Sequence, residues 1–417
     1  MVRLRVRCRC VTLAILVSQI FVGIWFFSRH LDPSKEFLRR LLNEGGQSIL
    51  HLTDQQMSNY YYLFGKDICV KAGTLAEKSS EGNCVCKTGW SGRRCGLPGI
   101  IQRTEWMQNP ELSKNLQLKK RVRRVILVTS FSYEFDIFEI NVKELHELVD
   151  VFVIGEANCT LCYTKNSLSL FNKLKDGWLK DFQSKIIYVP VHDKDLKNGS
   201  FMQNLVHSGL RLVSDVRPDD LLILTSGEEI LNRDIVGFLK LFQGYPLPVM
   251  CQYRNYLYGF YWQWIVGDSN ITRPQTCAVS FQFLANAFEY QVPRLRTGKI
   301  LEEDLNFFTT NEQPVAEWTI SKAGWRCHLC LSVQNIFNKF MDYPQNLRPK
   351  WFTESSSNML PFIQRLIKFG QDENLDPVGQ AELPRKENLP SYLWSNKENF
   401  VQLVKNPYET LSIHNVV

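Results

Sequence analysis

The chain contains neither a G-x-G-x-x-G run nor a Walker loop, so neither a dinucleotide nor an ATP fingerprint is present. It also lacks a strong charge of one sign. The formal net charge is only +7, and the basic residues are dispersed apart from an arginine-rich start and residues 119–124. A nucleic-acid partner is therefore not expected. No histidine accompanies the cysteines between Cys69 and Cys95, which disfavours zinc there. Finally, the first apolar run ends Ile24-Trp25-Phe26-Phe27 without an A-x-A-like site, unlike a cleaved signal peptide, which is the rival reading of this segment.

Arg3, Arg5, Arg7 and Arg9 precede that uncharged run, which spans 11–27. Seventeen residues at helical rise cover about 25 Å, close to a bilayer core. The expectation is a membrane signal anchor over 11–27, with a cytosolic tail at 1–10 and the bulk of the chain lumenal. Cys8 and Cys10 would lie on the cytosolic side, as palmitoylation sites or bystander thiols. The other ten of the 12 cysteines would meet an oxidising compartment and are read as disulfides first. In that compartment Asn158, Asn198 and Asn270 head N-glycosylation sequons.

A stem is expected over 28–68, followed by a small element at 69–98. Its core, Cys84-Val-Cys86-Lys-Thr-Gly-Trp90-Ser-Gly92-Arg-Arg-Cys95, resembles the second half of an epidermal-growth-factor-like module. The pairing expected from it is Cys86 with Cys95 and Cys69 with Cys84, the glycines permitting the tight turns. Cys251, Cys277, Cys327 and Cys330 are expected to be structural disulfides too, and Cys159 could pair with Cys162, but spacing alone does not give their connectivity.

From Arg124 onward the pattern alternates. Apolar runs at 125–128, 151–154, 186–189 and 221–224 are separated by helical spacing at 136–149 and 201–213. Continuous apolar strands between helices indicate a largely parallel sheet covered on both faces. The fold class expected is α/β, a Rossmann-type mixed or parallel sheet over 119–410, closing with a helical stretch at 391–406. Beyond Gln252 the chain is aromatic-rich, and part of the group Tyr253, Tyr256, Tyr258, Phe260, Tyr261, Trp262 and Trp264 is expected to line a cleft.

In open α/β sheets ligands bind beyond the carboxyl ends of the strands. Here those ends carry Ser130 and Glu134, then Glu156, then Ser226-Gly227-Glu228-Glu229. Paired carboxylates at a strand end suit a hard divalent cation, which in turn suits a diphosphate; the alternative is that Glu228 and Glu229 simply begin a helix. Glu228 is the candidate metal contact and Glu229 the catalytic support. Glu303 or Asp304 is the candidate base, and Ser130, Glu156 and Arg254 are candidate donor-binding residues.

Seven ordered blocks, among them R-R-V-I-L-V-T-S-F-S-Y-E-F-D, R-P-D-D-L-L-I-L, Y-L-Y-G-F-Y-W, A-G-W-R-C-x-x-C and Y-L-W-S-N-K-E-N-F-V-Q-L-V-K-N-P-Y, resemble glycosyltransferase family 17. The resemblance implies a type II Golgi enzyme with a GT-A-like fold. It would transfer N-acetylglucosamine from UDP-N-acetylglucosamine to the core β-mannose of N-glycans on glycoproteins, inverting the anomeric centre with Mn2+. Pairing of two copies through the stem is compatible with this reading. Departures from the family pattern lie at polar positions. Ser226 and Glu228 replace the two aspartates of a D-x-D-E-I-P run, Asn141 and Gln203 replace basic residues, and Arg326 replaces a histidine, with His328 nearby. They raise the alternative of a catalytically weakened, lumenal glycan- or partner-binding relative. A third reading, an adhesion module built on residues 69–95, is the weakest.

Overall fold

The computed structural model describes residues 49–158, 169–192, 201–265, 269–292, 319–343 and 345–409. Among them ten strands join one mixed sheet. In chain order these are β1 (Val125–Phe131), β2 (Val151–Asn158), β3 (Ile186–His192), β4 (Leu221–Thr225), β5 (Glu229–Leu231), β6 (Val249–Leu257), β7 (Gly259–Trp264), β8 (Gln275–Ser280), β9 (Thr319–His328) and β10 (Gly379–Ala381). The spatial order is β5-β9-β6-β8-β4-β1-β2-β3, with β7 added beside β6 and β10 beside β7. Strands β4, β1, β2 and β3 run parallel, whereas β8 is antiparallel to β4 and to β6.

The parallel half follows from side-chain alternation. Val125 and Leu127 of β1, Phe152 and Ile154 of β2, and Leu221 and Ile223 of β4 enter one core. Their neighbours Ile126, Val128, Val151, Val153, Leu222 and Leu224 enter the other. With both faces apolar, each strand must be covered on both sides, and each fully buried aliphatic side chain contributes about 1.5–3 kcal/mol. Helices α1 (Phe135–Leu145), α2 (Ser169–Lys175), α3 (Phe201–Leu210), α4 (Arg233–Leu241), α5 (Phe281–Phe288), α6 (Val333–Asp342) and α7 (Ser356–Phe369) are the longer ones. A Cβ on Gly209 of α3 would stand 2.2 Å from Val153 Cγ1, and one on Gly155 of β2 would stand 2.7 Å from Leu205. The two glycines let α3 lie directly on β2.

Two buried ion pairs pin the amino ends of the strands. The Arg124 guanidinium meets the Asp220 carboxylate through Nε (3.1 Å to Oδ1) and Nη2 (2.6 Å to Oδ2). Lys240, fully buried on α4, donates to Asp150 Oδ2 at 2.6 Å, and the same oxygen accepts from Val125 N–H at 2.7 Å. Burial works against the Lys240 ammonium and lowers its pKa, while the Asp150 charge opposes that shift.

The cysteine element is built as expected, with bonds Cys69–Cys84 and Cys86–Cys95. Further bonds join Cys251 to Cys277 and Cys327 to Cys330; Cys159 and Cys162 lie outside the described residues. The element packs against the chain just after α4, where Val70 and Phe242 share one core and Gly96 sits close against the Phe242 ring. Residues within the expected stem also join the body. Leu50–His51 pairs with Val213–Ser214, and Tyr60 and Tyr61 are buried.

One part of the expected fold is corrected. Among the described residues no helix is long and apolar enough to cross a membrane. The segment 11–27 read as an anchor lies outside those residues, so the described fold is an α/β domain with a disulfide element and, among the described residues, no transmembrane helix. The 391–406 stretch also differs, breaking into Ser391–Ser395, Lys397–Phe400 and Val401–Val404.

Replacing Asp220 with Ala leaves the buried Arg124 guanidinium uncompensated and is expected to cost about 3–5 kcal/mol. Chemical denaturation of the purified chain checks this, and a loss below about 1 kcal/mol would contradict it.

Candidate active site

Strands β3-β2-β1-β4 follow the order 3-2-1-4 of a doubly wound sheet, so the chain reverses direction between β1 and β4. A crevice opens at such a switch point, beyond the carboxyl ends of the two strands. Here it is a cleft of about 340 Å3 lined by Ser130, Phe131, Ser132 and Glu134 after β1, Ser226, Gly227 and Glu228 after β4, Phe201, and Lys339 of α6. Gly227 is required at this place. A Cβ on it would stand 2.8 Å from the Ser130 carbonyl oxygen and 2.9 Å from Glu134 Oε2, while its N–H donates to Ser130 Oγ at 3.3 Å.

Lys339 holds the cleft together. Its Nζ donates to Glu134 Oε1 at 2.8 Å and to Glu228 Oε1 at 2.9 Å, joining α6 to the ends of both strands. The Glu134 Oε2 atom accepts from the Ser132 and Tyr133 N–H groups at 2.8 and 3.1 Å. On its other side Glu228 meets His328 Nδ1 at 2.9 Å and Arg326 Nε at 3.4 Å. His328 Nε2 lies 3.1 Å from Glu373, and the imidazole stacks on Trp264 with centroids 4.7 Å apart. The Cys327–Cys330 bond brackets His328 at the end of β9, fixing the turn that aims the ring.

The charges reinforce one another. Burial by itself would raise the Glu228 carboxyl, but the charges of His328, Lys339 and Arg326 override it and hold the group well below the ordinary value of 4.5. Burial works against the cationic forms of His328 and Lys339, yet the adjacent carboxylates raise both above their ordinary values.

The sequence-derived candidates fall into four groups. Glu228 and Ser130 line the cleft together. Glu229 is adjacent but buried and engaged, accepting from Ser226 N–H at 2.8 Å and from the Gln275 amide at 2.6 Å. It begins strand β5, and the helix after it starts at Arg233, capped by the Asn232 side chain.

Glu156 and Arg254 are not brought to the cleft. Glu156 is buried and accepts from Leu170 N–H (2.8 Å), Phe171 N–H (3.2 Å), Ser169 Oγ (3.1 Å) and Tyr188 Oη (2.8 Å), which makes it a cap for α2. The Arg254 guanidinium lies 6.0 Å from the Trp325 ring. Trp325 alternates with Arg326 along β9, so Arg254 is on the face opposite Arg326 and His328.

Asp304, Glu303 and Asn198 lie outside the described residues, as does the Asn158 side chain; Asn270 donates its amide to Gln263 Oε1 at 2.8 Å. Of the aromatic group, Tyr253, Tyr256, Tyr258, Phe260 and Tyr261 are buried core, and Trp262 donates to the Ile367 carbonyl at 2.8 Å. Trp264 is the member that stacks on the cluster's histidine.

Glu134 stood in view at the end of β1 without an assigned role. Lys339, Glu373 and the pairing role of His328 had no local signal, because each reaches the site from a distant part of the chain. The departures from the family pattern are now placed. Asn141 donates to the Glu229 carbonyl at 3.3 Å. Gln203 ties α3 to the Tyr290 carbonyl and the Val292 N–H at 2.8 and 2.7 Å. Arg326 faces Glu228.

The Mn2+ implied by the family resemblance does not fit this donor set. A hard dication wants six or more oxygens, and among the described residues no group of three or more His, Cys, Asp or Glu side chains could hold one. Ser226 stands where the first acid would be, and Lys339 already bridges Glu134 and Glu228. Two unit charges 4 Å apart repel by about 4 kcal/mol at an effective dielectric near 20, and a dication doubles that for each cation nearby.

His328 gives a pH test of the cluster. Its folded value lies above 6.5, so its stabilising contribution is fully present below the ordinary value and fades as pH rises through the elevated one. The stability difference between wild type and His328→Gln is expected to be largest near pH 6 and to shrink toward about pH 9. Denaturant titrations across that range check it; a difference that is flat or grows with pH would contradict the charged assignment.

Comparison with known proteins accords with this geometry. The family model "Glycosyltransferase family 17" matches residues 108–274, which include β1, β4, Glu134 and Glu228. Proteins named beta-1,4-mannosyl-glycoprotein 4-beta-N-acetylglucosaminyltransferase are similar over most of the chain. The Rattus norvegicus protein is 27% identical over 339 residues, covering 78% of this chain and 62% of its own length. The Homo sapiens protein is 26% identical over 340 residues, with the same two coverages of 78% and 62%. The Mus musculus protein is 26% identical over 358 residues, covering 81% and 64%. The chain thus spans a little under two thirds of the length of these relatives. Residues 108–274 of this chain are thus similar to glycosyltransferase family 17.

Proposed function

We propose that the chain is a glycosyltransferase that moves N-acetylglucosamine from UDP-N-acetylglucosamine to the β-mannose of N-glycans on glycoproteins, with inversion. The observation that carries the reading is the charged cleft at the sheet's switch point, within the segment that matches the family. The name of the similar proteins, beta-1,4-mannosyl-glycoprotein 4-beta-N-acetylglucosaminyltransferase, supplies the sugar and the mannosyl-glycoprotein acceptor.

The cleft suits a sugar-nucleotide in two respects. The sheet presents it at the crevice where doubly wound folds take nucleotides. Its wall carries serine hydroxyls and an ammonium, which are donors for phosphate oxygens. In the transfer, the acceptor hydroxyl oxygen bonds to the anomeric carbon while the bond from that carbon to the β-phosphate oxygen breaks, and UDP leaves with the electron pair. The hydroxyl proton passes to a carboxylate, for which Asp304 remains the candidate. Glu229 orders the loop under the donor through its bonds to Ser226 and Gln275 rather than exchanging protons. The four disulfides among the described residues suit an oxidising compartment such as the secretory lumen, where N-glycans are met.

Incubating the purified chain with UDP-N-acetylglucosamine and a biantennary N-glycan, in the presence and absence of manganese, is expected to give a product one N-acetylhexosamine heavier by mass spectrometry. Absence of both product and donor hydrolysis would contradict the reading. Glycan binding without any nucleotide-sugar binding would favour a glycan-binding relative instead.

A further inference from the structure

We propose that this site holds the donor diphosphate without a divalent cation, the Lys339 ammonium standing where a metal would bridge carboxylate and phosphate. The inference rests on the donor reading above and concerns how that donor is gripped. Three independent features converge on it.

The first is the position of the ammonium. Lys339 Nζ lies 2.8 Å from Glu134 and 2.9 Å from Glu228, the two carboxylates that line the cleft. An ammonium has three donors, and these two contacts leave the third for a ligand in the cleft that Lys339 lines. A bridging cation coordinated by carboxylates on one side and by phosphate on the other would make the same set of contacts.

The second is the loss of an oxygen ligand. Ser226 lines the same cleft and offers a neutral hydroxyl where a carboxylate would be needed to balance a dication. The third is a second cation. Arg326 reaches Glu228 only through contacts of 3.4 Å and keeps a third of its side chain exposed. Its planar fork therefore has donors to spare for a phosphate. These features form one compensated arrangement, because the Lys339 ammonium and the Arg326 guanidinium balance the Glu134 and Glu228 carboxylates and keep the site near neutrality without a metal.

The assignment separates cleanly from a metal-dependent site in calorimetry on the full chain. With chelator present, UDP-N-acetylglucosamine is expected to bind with nearly the same affinity as with manganese, and manganese alone is expected to give no heat. Lys339→Met should weaken nucleotide-sugar binding by about tenfold or more, and Lys339→Arg should recover part of it. A melting curve on each variant distinguishes this loss from unfolding. Binding that requires manganese would overturn the metal-free assignment and leave the donor reading standing. No binding of the nucleotide sugar under either condition would overturn both. Unchanged affinity in a folded Lys339→Met variant would overturn the role given to the ammonium.

Discussion

The Lys339 ammonium, fixed between Glu134 and Glu228, is the interaction on which the site depends. It joins three parts of the chain that are far apart in sequence: the turn after β1, the turn after β4 and helix α6. Removing a positive charge from between two partly buried carboxylates would leave them facing each other at short range, which is unfavourable at any plausible interior dielectric. The sheet fixes where the two turns end, and the ion pairs at its opposite edge, Arg124 with Asp220 and Lys240 with Asp150, fix how the strands stand. Scaffold and site are thus tied by the same kind of bond, at the two ends of the same strands.

Much of the fold was legible in the sequence because its signals are local. Apolar runs at 125–128, 151–154, 186–189 and 221–224 became β1, β2, β3 and β4, and the cysteine spacing in the small element became the two expected bonds. The antiparallel half was less legible. Strands β6, β7 and β9 carry aromatic and polar residues whose neighbours are decided by long-range pairing, as when Tyr256 sits beside Cys327.

The site was legible only where it lies on strand ends. Glu228 and Ser130 were proposed because the carboxyl ends of parallel strands are where such folds bind ligands, and both line one cleft. Glu156 looked equally suitable, yet the orphan N–H groups of α2 need an acceptor, and Glu156 satisfies them. Arg254 failed on strand alternation, which turns successive side chains to opposite faces. Lys339 could not be anticipated, since a lysine on an amphipathic helix ordinarily reads as a solvated face. Its role appears only once α6 is placed across the strand ends. With that cation in place Ser226 and Arg326 become mutually consistent, because the Lys339 and Arg326 charges balance the Glu134 and Glu228 carboxylates and keep the site near neutrality.

A crystal structure of the chain with UDP bound, grown with manganese available, tests the central claim most directly. The account predicts the diphosphate in the cleft between β1 and β4, with a phosphate oxygen within hydrogen-bond distance of Lys339 Nζ and no metal between them. UDP bound away from this cleft, or a manganese ion seated between Glu228 and the diphosphate, would contradict it.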